Sequence, residues 1–195
     1  IAKADGNVET VYVHVLCEDI KTKKLSWINK LLELDEEIIQ DEKTMAVASK
    51  WKNIAFDSLK RDGFNPDEVV ANTFSSKVSL DGTDKNRHEV TNLSKIIGRS
   101  YLQVRPGSTD QVPSMSFFNA GLIRLEDRLQ PGPINQYDIL RIMPFSDFIF
   151  HLNMMGSTIK KIYEVGRGAV GSGDFLHWEG MPQNINDIVS SSTYR

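Results

Sequence analysis

Two short stretches carry residue types that could grip a phosphorylated ligand. Asn119-Ala120-Gly121-Leu122-Ile123-Arg124 directly follows the apolar run 115–118. A strand that ends in a glycine turn exposes main-chain N–H groups and lets an amide and a guanidinium project side by side. The planar fork of arginine suits bidentate contact with phosphate oxygens. In Met143-Pro144-Phe145-Ser146-Asp147, proline halts a helix and holds an aromatic ring at its exit. A ring held there can stack on a purine, which stabilises nucleic-acid complexes by roughly 1–3 kcal/mol per base. Composition alone favours the plainer reading, Phe145 as core and Arg124 as a surface or salt-bridged arginine.

Other residues with chemical potential do not converge. His14, His88, His151 and His177 lack H-x-H, H-E-x-x-H or D-x-H spacing, so each reads as a surface or strand position rather than a metal ligand. Serine is plentiful, but no G-x-S-x-G elbow is present. The run 166–173 (GRGAVGSG) has the glycine content of a phosphate cradle. It follows a helix-like segment and lacks G-K-[ST], so it reads as a flexible loop. The single cysteine, Cys17, excludes an internal disulfide and a multi-cysteine zinc site, but leaves the compartment open.

The chain that must position these residues has 195 of them, enough for one domain or a domain plus a fragment. Hydrophobic residues at 40% and charged residues at 25% suit a globular chain with a core. The formal net charge of −3 disfavours a dedicated nucleic-acid binder, whose surface would be basic. No apolar run approaches a membrane span, and no stretch has a signal-peptide layout.

Periodicity predicts an α+β chain. Alternation over 8–15 predicts a strand, and 25–34 a second one, together the edge of something larger. Over 41–61, Val47, Trp51, Ile54, Ala55 and Leu59 fall on one helical stripe, with Asp41 as N-cap and Asp62-Gly63 as stop. Such a helix suits an inter-domain connector. Residues 68–80 read as a strand closed by Asp81-Gly82. Thr91 or Asn92 then caps a helix bearing Leu93, Ile96, Ile97 and Tyr101, broken by Pro106 and Gly107. Residues 115–118 suit a strand buried on both faces. Asn135, with Asp138 three positions on, opens a short helix that Pro144 ends. Residues 148–152 alternate as a strand, and Ser157 caps a last helix with Ile159, Ile162 and Tyr163.

The run 117–152 resembles the C-terminal domain of the 5'-nucleotidase family, which includes ecto-5'-nucleotidase and bacterial UDP-sugar hydrolases. The family pattern N-x-G-x-x-R, P-G-P, a short helix with an acidic third residue, and L-P-F appears here as NAGLIR, PGP, NQYD and MPF, in that order. Upstream, Leu80-Asp81-Gly82, Arg87 and Thr91-Asn92-Leu93 resemble the family's L-D-G…R…N-[LM]-G-N-L. Downstream, GSGDFLHWEG at 171–180 resembles G-x-G-x-F-L-Q-x-x-G. The likeness covers about residues 40–180.

The resemblance implies a mixed sheet with flanking helices, preceded by a long linker helix and trailing strands of a metallophosphoesterase domain. Residues 1–40 would be those strands, 41–63 the linker, and 64–195 a nucleotide-binding domain. The divalent two-metal centre of such proteins lies in the N-terminal catalytic domain, whose ligand motifs this chain lacks; the chain alone would be inactive. It also implies that Arg87 and Arg124 grip the substrate phosphates, and that Asn119 and the Gly121 turn lie near the base. Phe145 would be one of two rings sandwiching that base. The expected partner is a nucleotide, hydrolysed by the whole protein to nucleoside and phosphate. The expected location is secreted, periplasmic or at the cell surface.

Some positions depart from the family pattern. Arg99 replaces an acidic residue in the first helix of the domain, and Val90 replaces a glutamate, with Glu89 one step earlier. The chain also ends before the family's N-G-G-D-G-F, which carries the second ring and a ribose-binding aspartate, and is expected to be incompletely represented. The altered helix 94–100 motivates an alternative, a catalytically inactive relative acting as a nucleotide-binding or interaction module.

Overall fold

A computed structural model describes residues 10–35, 37–71, 79–104 and 112–195. The chain divides into two compact units, 1–58 and 59–195. In the first, β1 (Thr10–Glu18) pairs antiparallel with β2 (Leu25–Glu33) across the turn that Asp19 closes by accepting from the N–H groups of Lys21 and Thr22. Both strands are mostly exposed, as expected of a lone hairpin, which has no second layer to bury a face. Val8 lies outside the described residues. The long helix α1 (Glu42–Arg61) starts where the Asp41 carboxylate accepts from Thr44 N at 2.8 Å, the N-cap its sequence predicts. Its apolar stripe forms but stays open, with Val47, Trp51 and Ile54 all exposed. The unit boundary falls inside this helix.

The second unit is α+β, with three helices and small antiparallel sheets among its described residues. β3 (Val69–Ala71) and β4 (Leu80–Asp81) are short pieces of the stretch read as one strand; 72–78 lie outside the described residues. Helix α2 (Asn92–Gln103) begins in a capping box in which Thr91 and Ser94 satisfy each other's main-chain N–H. It ends before Pro106 and Gly107, which also lie outside the described residues. β5 (Ser116–Asn119), β6 (Arg128–Leu129) and β7 (Ile134–Asn135) follow, and β7 leads into α3 (Gln136–Ile142) through the predicted Asn135–Asp138 capping box. β8 (Met154–Met155) precedes α4 (Gly156–Gly168), and β9 (Leu176–Glu179) and β10 (Thr193–Tyr194) complete the unit. The pairs are β3–β7, β4–β6, β5–β9 and β8–β10.

Three expectations change here. Residues 148–152 form no strand: 145–153 make no backbone hydrogen bond among the described residues, and Phe148 and Phe150 stay exposed, because alternation supplies a pattern but not a partner edge. Ser157 does not cap α4; Met155 occupies that position without a side-chain bond, and Ser157 N instead donates to Ser190 O. β5 is not buried on both faces, since only Phe118 is fully enclosed.

The core packs Leu93 and Ile97 of α2 against Phe118 of β5, Ile123, Leu125 and Ile142, with Tyr101 edge-on to Phe118 at 5.5 Å. Burying each such side chain stabilises by about 1.5–3 kcal/mol. This core also sets the direction of its neighbours. Extended chain alternates sides, so enclosing Ile123 and Leu125 turns Arg124 outward, and enclosing Phe118 turns Asn119 outward.

Candidate functional site

Asn119 and Gly121 stand where β5 runs into a single 3₁₀ turn, Ala120–Leu122. Ala120 N donates to Phe175 O at 2.7 Å, and Gly121 N donates to Gly173 O at 2.7 Å. The Asn119 amide donates to the same Gly173 carbonyl at 2.9 Å. The approach is close: a Cβ on Gly121 would stand 3.0 Å from Asn119 Nδ2 and 3.2 Å from Gly173 O, so a side chain there would press its neighbours aside by a few tenths of an ångström. The glycine run 166–173 is therefore no free loop. Its first part is the end of α4, and its last part clasps the turn after β5.

Arg87 joins from the other side of that clasp. It ends the 3₁₀ turn Asp84–Arg87, which Thr83 caps. Gly171, at φ +84°, a left-handed conformation that favours glycine, donates its N–H to Arg87 O at 2.8 Å. The Arg87 guanidinium keeps Nε 3.7 Å from the Asp84 carboxylate, and its two terminal nitrogens have no partner among the described residues.

Arg124 and Phe145 meet directly. Arg124 N donates to Ile142 O at 2.8 Å, tying the chain after the 120–122 turn to the end of α3. Pro144 follows, and the Phe145 ring comes to lie 5.2 Å from the Arg124 guanidinium carbon. Phe145 is 45% exposed, so it is not core, and among the described residues Arg124 has no carboxylate partner. The core reading of Phe145 fails, whereas Arg124 lies at the surface, as its plainer reading has it. A cation held over an open ring, without a counter-charge, can take an anion on its outer edge while the ring keeps a face for a planar group.

The structure thus brings Arg124 to Phe145, and Asn119, Gly121 and Arg87 to the 171–173 loop. The short 120–122 turn joins the two groups. The 171–173 loop was missed as a positioning element because glycine content without a G-K-[ST] signature reads as slack chain.

Asp81 supports the floor. It is buried and accepts from Thr83 N and Oγ1 and from Arg128 Nε at 2.9 Å. Burial pushes its carboxyl pKa up, but the Thr83 hydrogen bonds and the Arg128 charge outweigh that and hold it below the usual carboxylate range. Arg99, the departure in α2, pairs with Glu179 of β9 at 2.9 Å. The reversed charge has found an opposite one.

A cavity of about 530 Å³ lies elsewhere. Phe117, Phe148, Phe150 and Tyr194 dominate its lining, and none of the five candidate residues reaches it. It lies along the unpaired 145–153 segment, with His151 and Arg195 among its otherwise mostly apolar walls. The geometry around Arg124 carries the functional reading instead. For a metal, no group of three His, Cys, Asp or Glu side chains converges among the described residues, so those residues do not fit a two-metal centre. No helix among them is long and apolar enough to cross a membrane.

Fold and local geometry define an α+β domain with a glycine clasp that ties Arg87 to the Asn119–Gly121 turn, and with Arg124 over an open ring. A family model for the 5'-nucleotidase C-terminal domain matches residues 69–190, and the chain belongs to that family. No curated protein matches it.

Proposed function

We propose that residues 64–195 form the substrate-binding part of a metal-dependent 5'-nucleotidase-like phosphohydrolase, which as a whole protein converts nucleotides to nucleoside and phosphate. The observation that carries the reading is Arg124 over the half-open Phe145 ring, with no carboxylate partner among the described residues. In this reading Arg124 and Arg87 take phosphate oxygens, the ring takes one face of the base, and Asn119, anchored through Nδ2, keeps its carbonyl oxygen for a base or sugar donor. Metal chemistry belongs to the N-terminal catalytic domain that the family resemblance implies, and a secreted, periplasmic or cell-surface location goes with the same reading. This chain supplies binding and orientation.

A second reading, the catalytically inactive module, shares this binding site and differs in predicting no hydrolysis by the whole protein. Helix α2 keeps a complete cap at Thr91–Ser94 and Arg99 pairs with Glu179, which supports an intact fold around the altered stretch under either reading.

The test is titration of AMP and adenosine by calorimetry against the chain, Arg124→Ala and Phe145→Ala. AMP should bind more tightly than adenosine, and Arg124→Ala should remove that preference, a loss of roughly tenfold or more for a charge-assisted contact. A phosphate preference that survives Arg124→Ala overturns the assignment.

A further inference from the structure

We propose that His88 is an anion contact beside Arg87 at the 171–173 clasp, a titrating partner that takes up a proton when a phosphate or sulfate group binds. The proposal rests on the anion-binding role proposed above for Arg87 and extends it to a residue no motif marked.

Four observations place His88 in that role. Its Nδ1 lies 3.1 Å from the main-chain oxygen of Asp84 and 3.4 Å from the Asp84 carboxylate. Both neighbours can only accept, so Nδ1 carries the proton and Nε2 is the nitrogen left open in the neutral ring. That Nε2 faces the clasp, 3.4 Å from where a Cβ on Gly171 would stand, and has no hydrogen-bond partner among the described residues. Gly171 is the residue that bonds Arg87 O, so His88 Nε2 and the main chain of Arg87 flank one point on the loop. Finally, the side chain is half exposed, which leaves a ligand room to reach it.

Asp84 organises the pair. Its carboxylate holds Nε of Arg87 on one oxygen and Nδ1 of His88 on the other, which leaves the outer nitrogens of both groups unengaged among the described residues. One carboxylate against one permanent cation keeps the empty site close to neutral. An incoming dianion shifts that balance, and the nearest group able to answer is the imidazole. A proton from solvent adds to Nε2, and the Nε2–H donates to an oxygen of the anion. No other bond changes.

The remaining charges around His88 are few. On its own turn, Lys85 pairs with Glu89 at 2.9 Å. The 171–173 loop brings only main chain and Ser172, with Asp174 the next charged residue along it. The buried His177 changes charge only near pH 4.

Inorganic sulfate is the probe, because it stays dianionic around neutral pH and carries no nucleoside. Calorimetric titration of the chain should show sulfate affinity rising roughly five- to tenfold from pH 8 to pH 6. Buffers of different ionisation heat should report net proton uptake. In His88→Gln, which keeps a donor but cannot titrate, both effects should vanish while weak binding through Arg87 persists; His88→Asn serves if the first variant does not fold. Affinity independent of pH in the unmodified chain, no sulfate binding at all, or a slope that survives in His88→Gln would each overturn the proposal. AMP titrated into the same samples separates the two ideas. AMP binding that depends on Arg124 without a His88 effect leaves the nucleotide reading standing, and a sulfate response without AMP binding leaves an anion site alone.

Discussion

Acid should weaken this fold through His177 before it reaches the carboxylates. The ring is fully enclosed on β9, 5.2 Å from Phe118 and 5.5 Å from Phe175, and neither nitrogen makes a well-formed hydrogen bond. Loss of hydration disfavours the imidazolium most, the nearby Arg167 charge adds to that, and the main chain of Asn86 compensates only partly, so its pKa is pushed down to about 4. The unfolded chain titrates near 6.5. A folded value below the unfolded one means the unfolded state binds the extra proton first. The stability tied to the neutral ring is whole above pH 6.5, falls as pH drops from 6.5 to 4, and is gone below. Two and a half units at about 1.4 kcal/mol each give roughly 3 kcal/mol in all, with about 2 kcal/mol lost by pH 5. Urea unfolding followed by circular dichroism at pH 7.5, 6 and 5 should show that loss in the unmodified protein. His177→Gln and His177→Leu should be nearly flat over the same range, whatever their starting stability. Curves that fall in parallel for all three proteins would refute the reasoning, because the acid sensitivity would then lie in other groups.

Gly121→Ala should weaken nucleotide binding more than folding, since the new methyl presses on Asn119 Nδ2 and Gly173 O; AMP affinity is expected to fall several-fold with a stability cost of about 1 kcal/mol, read by calorimetry and urea unfolding. Asp81→Asn loses the charge that Arg128 and Thr83 meet, for a cost of about 1–3 kcal/mol at pH 7. Because the Asp81 carboxyl pKa is held below its unfolded value, that difference should persist above about pH 4 and shrink as pH falls further. A double-mutant cycle on Arg99 and Glu179 should return a coupling of only about 0.2–1 kcal/mol, since the arginine is largely exposed; a larger value would mean the pair holds α2 on β9.

The sequence by itself determined what is local. Asp41, Thr91 and Asn135 start their helices because a capping side chain needs only residues two or three positions away. The order NAGLIR, PGP, NQYD, MPF reached the family for a related reason: each motif is a short backbone shape bearing one or two committed side chains. What needed a partner distant in sequence was decided by the tertiary structure. Alternation at 148–152 could not show that no edge would pair with it, and glycines at 171–173 could not show that they would bridge Arg87 to Asn119. Neither could Phe145 announce whether it would be core, since an aromatic pattern is the same in either place. Enclosure of Ile123 and Leu125 pointed Arg124 outward, and the tie between Arg124 N and Ile142 O set it over that ring. Burial and charge pairing depend on which segments meet, and only the folded chain fixes that.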